Sequence, residues 1–250
     1  MKNMYQSLNS RLGAVLLLTL TLVACGQKNT FVPGIVEIES TGLIALHGQQ
    51  PAAITSLVTW AQAGSPVAQR ELGLAYAVVP AKFPEAVHWL NKAAGAGDVE
   101  AQFRLAEANY KMQFGLSQDL QQAWNFYQAA GRQQNAKATL MLARMSKYGE
   151  GTTKNLAQAT GYLVAAAEQG NAQAMFLLSN AYAAGEGVAQ DKFKSMEWLE
   201  RAAEGDYPVA IQELALSLDG NSTSSSRDLI RARHLLKEAS DERLLNWNKY

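Results

Sequence analysis

The sequence predicts an all-α fold, an α-solenoid of about five helix-turn-helix repeats, and three observations carry that expectation. Two separate ladders of residues recur with a common period of about 36. Apolar positions within each unit fall on one face of a 3.6-residue helix. Glycines recur at matching places between and after the helical stretches.

The first ladder is an alanine followed four residues later by a leucine: Ala68/Leu72, Ala101/Leu105, Ala138/Leu142, Ala174/Leu178 and Ala210/Leu214. Its alanines are spaced 33, 37, 36 and 36 residues apart. The second ladder is Trp89, Phe126, Tyr162, Trp198 and Leu235, spaced 37, 36, 36 and 37. Positions 0, +4 and +8 from each anchor alanine share a helical face. A small residue at +5 (Gly73, Ala106, Ala143, Ser179, Ala215) lets the unit's second helix approach closely. The aromatic residues of the second ladder are expected to fill the larger gaps, since they bury the most area per side chain. Gly97, Gly170 and Gly205 end second helices as left-handed caps. Gly149-Glu150-Gly151 and Gly185-Glu186-Gly187 recur inside the interhelix loop, so tight-turn geometry accounts for them better than phosphate binding does.

The fourth unit reads AQAMFLLSNAYAAGEGVAQDKFKSMEWLERAAEGDY, Ala172 to Tyr207. With its matches at Ala174, Leu178, Tyr182, Gly185, Gly187, Val188, Trp198, Ala202, Ala203 and Gly205, it resembles the Sel-one-like repeat family, a branch of the tetratricopeptide-type repeats. The resemblance covers residues 66 to about 243, with a half-unit from Ala53 to Ser65 in front. The first unit departs from the pattern with Val79-Pro80-Ala81 in place of the paired glycines, and the second keeps only Gly115. The fifth has a polar run, Asp219 to Ser226, and Leu235 where a tryptophan is usual. Terminal units of a solenoid are commonly atypical because one face meets water.

In superhelices of this type the first helices line a concave surface, and the resemblance places its inward columns at +2, +6 and +9. These hold Phe103, Glu107 and Tyr110; Leu140, Arg144 and Lys147; and Phe176 and Asn180, with Arg70 added by the first unit. Apolar anchors interleaved with charges and an amide suit a peptide or protein partner. The alternative is that Phe103, Leu140 and Phe176 are core residues and the column is displaced by one.

The N-terminus reads as an address. Lys2 and Arg11 precede an uncharged stretch, Leu12 to Ala24. Its thirteen residues reach only ~20 Å as a helix, short of a ~30 Å hydrocarbon core, and so suit a secretory signal. Leu22-Val23-Ala24-Cys25 resembles the lipobox of bacterial lipoproteins, and Cys25 is the one cysteine of the chain. That resemblance implies cleavage before Cys25 and acylation of it, palmitate being one such chain. Gly26 stands where aspartate would signal inner-membrane retention, so the implied destination is the outer membrane, facing the periplasm. The expected organisation is a signal peptide over 1–24, a lipidated N-terminus and tether over 25–50, and the solenoid over 51–250.

Composition narrows the function. The 22 Lys+Arg balance 22 Asp+Glu, which argues against nucleic acid as a partner. Removal of the signal takes Lys2 and Arg11, leaving 20 basic against 22 acidic residues. Apolar residues at 48% and charged residues at 18% fit a globular body with a core. No zinc-protease, nucleophile-elbow, phosphate-loop or C-x-x-C motif occurs, and His47, His88 and His234 are too far apart to converge on a metal. No cofactor or catalytic residue is therefore expected. The reading is a non-enzymatic, lipid-anchored interaction scaffold of the bacterial envelope. An envelope hydrolase or peptidoglycan-associated accessory, and a surface-exposed factor binding a host protein, are the alternatives.

Overall fold

Helix starts recur with the period of the ladders because each of the first four units opens on a polar capping residue. The computed structural model describes residues 33–219, together with His234 and Lys237. Cys25 and its signal, the polar run beyond Asp219 and Leu235 lie outside the described residues. Among the described residues all regular structure is helical. The order is α1 (Ile35–Gly48), α2 (Pro51–Gln62), α3 (Pro66–Ala77), a 3-10 turn (Pro80–Lys82) and α4 (Phe83–Gly95). It continues with α5 (Val99–Lys111), α6 (Leu120–Arg132), α7 (Ala136–Tyr148), α8 (Leu156–Glu168), α9 (Ala172–Ala184), α10 (Lys192–Glu204) and α11 (Pro208–Asp219).

Ser65, Asp98, Asn135 and Asn171 cap α3, α5, α7 and α9, each accepting a hydrogen bond from the anchor-alanine amide three residues on. Asp119, Asn155 and Asp191 do the same for α6, α8 and α10. Each cap contributes about 1 kcal/mol and fixes where its helix begins. The +4 leucines, Leu72, Leu105, Leu142, Leu178 and Leu214, are all buried, as are the five small +5 residues. A β-carbon on Gly73 would come within 2.8 Å of Leu90, which is the close approach of α4 that the small residue permits.

Two expectations need correction here. Residues 35–48, read as part of a tether, form α1, which packs on α3 and α2 through Ile38, Gly42 and Ala45. Apolar residues stand all round this helix, so it shows no 3.6-residue period and reads as patternless. The half-unit from Ala53 is accordingly the second helix of an added N-terminal pair, α1–α2. The second-ladder aromatics are half-buried rather than central: Trp89, Phe126, Tyr162 and Trp198 pack at cluster margins, while their neighbours Leu90, Tyr127 and Leu199 are buried. Gly97 and Gly170 have the expected positive φ, +91° and +87°. Gly205 does not, because the left-handed residue after α10 is Asp206.

Glycines of the interhelix loop do more than turn the chain. Gly149 and Gly185 end α7 and α9 in the left-handed conformation. A β-carbon on Gly151 would collide with the Leu120 carbonyl at the start of α6, and one on Gly187 with the Leu156 carbonyl at the start of α8. These loops therefore seat each unit on the one before it. Unit two makes the equivalent contact with a side chain, the Phe114 ring edge-on to Phe83 at the start of α4, with centroids 6.1 Å apart.

Candidate concave binding site

Between α7 and α9, above α8, lies a cavity of about 630 Å³. Both flanking helices are first helices of their units and run in the same direction, so the lining is ordered from end to end. Leu140, Leu163 and Leu177 line it on the side of the helix N-termini. Arg144, Lys147 and Asn180 line it on the C-terminal side, with Glu150 and Glu186 from the loops. The site is thus an apolar slot that opens onto a charged rim.

The rim is held by bonds between successive units. Tyr110 at the end of α5 donates its hydroxyl proton to Glu150 at 2.7 Å, and the Lys147 ammonium donates to Glu186 at 2.9 Å. Burial, with the hydrogen bond to Glu150, pushes the Tyr110 phenol above its ordinary value, so it stays a donor at neutral pH. Arg144 lies over the Tyr110 ring, 5.6 Å from its centroid. No carboxylate among the described residues pairs with Arg144 within 4 Å. An exposed guanidinium without a counter-charge beside an apolar slot is fitted to accept an anionic group from outside.

Of the nine residues expected in a groove, four line this cavity: Leu140, Arg144, Lys147 and Asn180. Tyr110 joins through its bond to Glu150. Glu107 instead pairs along its own helix with Lys111 at 2.6 Å and Arg104 at 3.5 Å. Phe103 is buried against Tyr127, with ring centroids 5.9 Å apart. Phe176 is half-buried against Tyr207, 5.4 Å away, on the side of the following unit. The aromatic residues of the +2 column are therefore taken up in packing, Phe103 against the second helix of its own unit and Phe176 beside the fifth unit, and only Leu140 reaches the cavity. The residue next to it, Leu177 at +3, takes the inward place that Phe176 does not. Glu150, Glu186 and Tyr148 also line the site and were absent from the expected columns. Their signal was available in the paired glycines, which fix the loop glutamates at the repeat period.

Arg70 is not an open groove residue either. Its guanidinium meets Glu39 of α1 and its neighbour Glu71, each at 2.7 Å, and Asp98, the cap of α5, at 3.1 Å. Its side chain is only 12% exposed. It ties the added N-terminal helix to the first two repeats. His47, His88 and His234 are all exposed, and among the described residues no cluster of His, Cys, Asp or Glu could hold a metal ion. Among the described residues no helix is long and apolar enough to cross a membrane.

The repeat limits set by these helix pairs coincide with a known family. The Sel1 repeat matches residues 66–98, 99–135, 136–171, 172–207 and 208–243. A Sel1 repeat protein from Oxalobacter formigenes is similar at 26% identity and a TM-score of 0.70, over 84% of this chain and 88% of that one. A protective antigen of uropathogenic Escherichia coli with the same repeat fold is 23% identical with a TM-score of 0.69. The match covers 83% of this chain but 46% of that structure. An immunity protein from Pseudomonas aeruginosa shares the fold at 16% identity and a TM-score of 0.51, over 85% and 82% of the two chains. Among curated proteins there is no significant match. Sel1 repeats typically form non-catalytic surfaces for protein–protein interaction. The chain belongs to the Sel1 repeat family, with five repeats behind an added N-terminal helix pair.

Proposed function

We propose that this protein is a lipid-anchored adaptor of the bacterial envelope that holds a segment of a partner protein in the cavity between α7 and α9. The observation that carries the reading is the joint presence of an apolar slot and, on its rim, an Arg144 without an ion-pair partner among the described residues. An apolar side chain of the partner enters between Leu140, Leu163 and Leu177, and a neighbouring carboxylate meets Arg144. The lipobox-like Leu22-Val23-Ala24-Cys25 supports acylation at Cys25, and Gly26 supports the periplasmic face of the outer membrane as the destination. Two or three acyl chains give stable anchoring where one does not.

A photo-crosslinking residue at Asn180, in cells, tests the groove. A discrete adduct that Arg144→Glu abolishes is the expected result. An adduct unchanged by the reversal, or one obtained equally from Gln212 on α11, sinks the groove reading. The anchor is tested separately: Cys25→Ser should lose labelling by an acyl-chain probe and leave the membrane fraction.

A further inference from the structure

Helix α1 carries apolar side chains on both sides, and among the described residues the solenoid covers only one of them. Ile38, Gly42 and Ala45 face α3 and α2, whereas Val36, Leu43 and Ile44 on the opposite arc are 80%, 56% and 47% exposed. By helical geometry Ser40 and His47 share that arc and add no fixed positive charge, while the exposed Glu37, two turns before Ile44, stands at its edge. An apolar helix of this kind needs a second covering surface. The terminal helix of a repeat array would ordinarily turn a polar face to water.

We infer that the outward face of α1 rests on the surface of the lipid bilayer to which Cys25 is attached. The inference rests on the acylation of Cys25 proposed above. Nine residues, Gly26 to Gly34, separate that cysteine from the first residue of α1. Fully extended they reach at most about 35 Å, so an acylated chain cannot carry α1 far from the headgroups. A tether this short holds the helix at an effective concentration on the order of millimolar at the surface. Aliphatic side chains that would bind a bilayer weakly alone then insert at the boundary of headgroup and acyl chain. With Glu37 and Glu39 and no lysine or arginine, α1 gains nothing from anionic lipid. The lipid brings the helix to the surface, and the apolar face then fixes the solenoid's orientation on it. Glu39 is ion-paired to Arg70, and Ile38, Gly42 and Ala45 are buried against α3 and α2, so the orientation passes to the first repeat through these contacts.

The test uses the acylated full-length chain, in which Cys25 offers no free thiol. Leu43→Cys and, as a control, Phe193→Cys on α10, where the native side chain is 92% exposed, each carry one environment-sensitive fluorophore. In vesicles of phosphatidylethanolamine and phosphatidylglycerol, the label at 43 should blue-shift. It should be quenched by lipid-borne nitroxide and lose severalfold its sensitivity to aqueous iodide relative to the label at 193. These changes should persist at high salt. Equal iodide quenching at both positions in chains that float with the vesicles overturns the inference and leaves the anchor intact. Chains that neither float nor take up an acyl probe overturn both. Protection of position 43 without vesicles, rising with protein concentration, overturns it in favour of a second copy on this face.

Discussion

Phe176 and Leu177 are adjacent on α9 and point about 100° apart, so a pair of alanine substitutions tests the register of the binding face. Phe176 is half-buried, its ring 5.4 Å from that of Tyr207, within the cluster that joins the fourth and fifth units. A fully buried phenylalanine costs ~3–5 kcal/mol on truncation. Half that burial, with the loss of an aromatic pair, gives about 2–3 kcal/mol for Phe176→Ala. Leu177 is 37% exposed and lines an open cavity, so its truncation leaves no void. Leu177→Ala should cost under about 1 kcal/mol from lost apolar burial. For a body of this size each kcal/mol moves the melting temperature by roughly 2–4 °C. Urea unfolding followed by circular dichroism reads the difference, and crosslinking from Asn180 reads partner capture. Phe176→Ala should lose stability first, and Leu177→Ala should lose capture with stability nearly intact. Equal or reversed stability costs would mean that α9 is turned by one residue from the arrangement described.

Gly187→Ala should cost about 2–4 kcal/mol, combining a left-handed backbone with a collision against the Leu156 carbonyl, whereas Gly185→Ala should cost only about 1 kcal/mol; matching unfolding curves for the two variants would refute the seating role of the second glycine. Trp198→Ala should cost about 2 kcal/mol, below the range for a buried tryptophan, because the ring is half-exposed beneath Arg201, 4.0 Å from its centroid; a loss beyond about 4 kcal/mol would place it in the core. Glu71 predicts a pH dependence. Burial holds its carboxyl above the ordinary value of 4.5, against the lowering pull of Arg70. The folded chain thus keeps this proton longer than the unfolded one, and stability present at low pH is lost as pH rises from 4.5 through the folded-state value. Wild-type stability minus that of Glu71→Gln should therefore fall as pH rises above 4.5; a difference that grows with pH in urea unfolding would show that the ion pair outweighs the burial.

What could be read from the chain, and what could not, follows from the range of the forces involved. The alanine–leucine ladder and the helix pairs were legible because they depend on local period and on burial that every unit repeats. The +2 column was misread because a concave face was assigned from the pattern of the family, whereas a phenylalanine gains more from burial beside Tyr127 or Tyr207 than from display. Arg70 was misread because its carboxylate partners Glu39 and Asp98 stand 31 and 28 residues away and meet it only in the folded chain. The capping ladder, Asp98, Asn135 and Asn171, was legible three residues before each anchor alanine and would have fixed the helix starts to the residue. The hairpin partner of α2 was hidden for the opposite reason, since a helix apolar all round has no face for periodicity to find.

The position of the cavity within the array has a local cause. It lies between the third and fourth units, whose loops both carry Gly-Glu-Gly. In each, the first glycine ends the helix and the second closes on the preceding unit, at Leu120 or Leu156. That closure projects the intervening glutamate back onto the preceding first helix, where Glu150 meets Tyr110 and Glu186 meets Lys147. The first unit has a 3-10 turn at this place, and the second substitutes the Phe114–Phe83 ring contact, so neither offers a loop carboxylate to the helix before it. With Glu186 engaged by Lys147, and Glu150 hydrogen-bonded to the neutral Tyr110 phenol, Arg144 is the rim cation outside any ion pair among the described residues. The loop motif that seats one repeat on the next thus engages Lys147 and leaves Arg144 outside any ion pair among the described residues, the feature on which the proposed capture of a carboxylate rests.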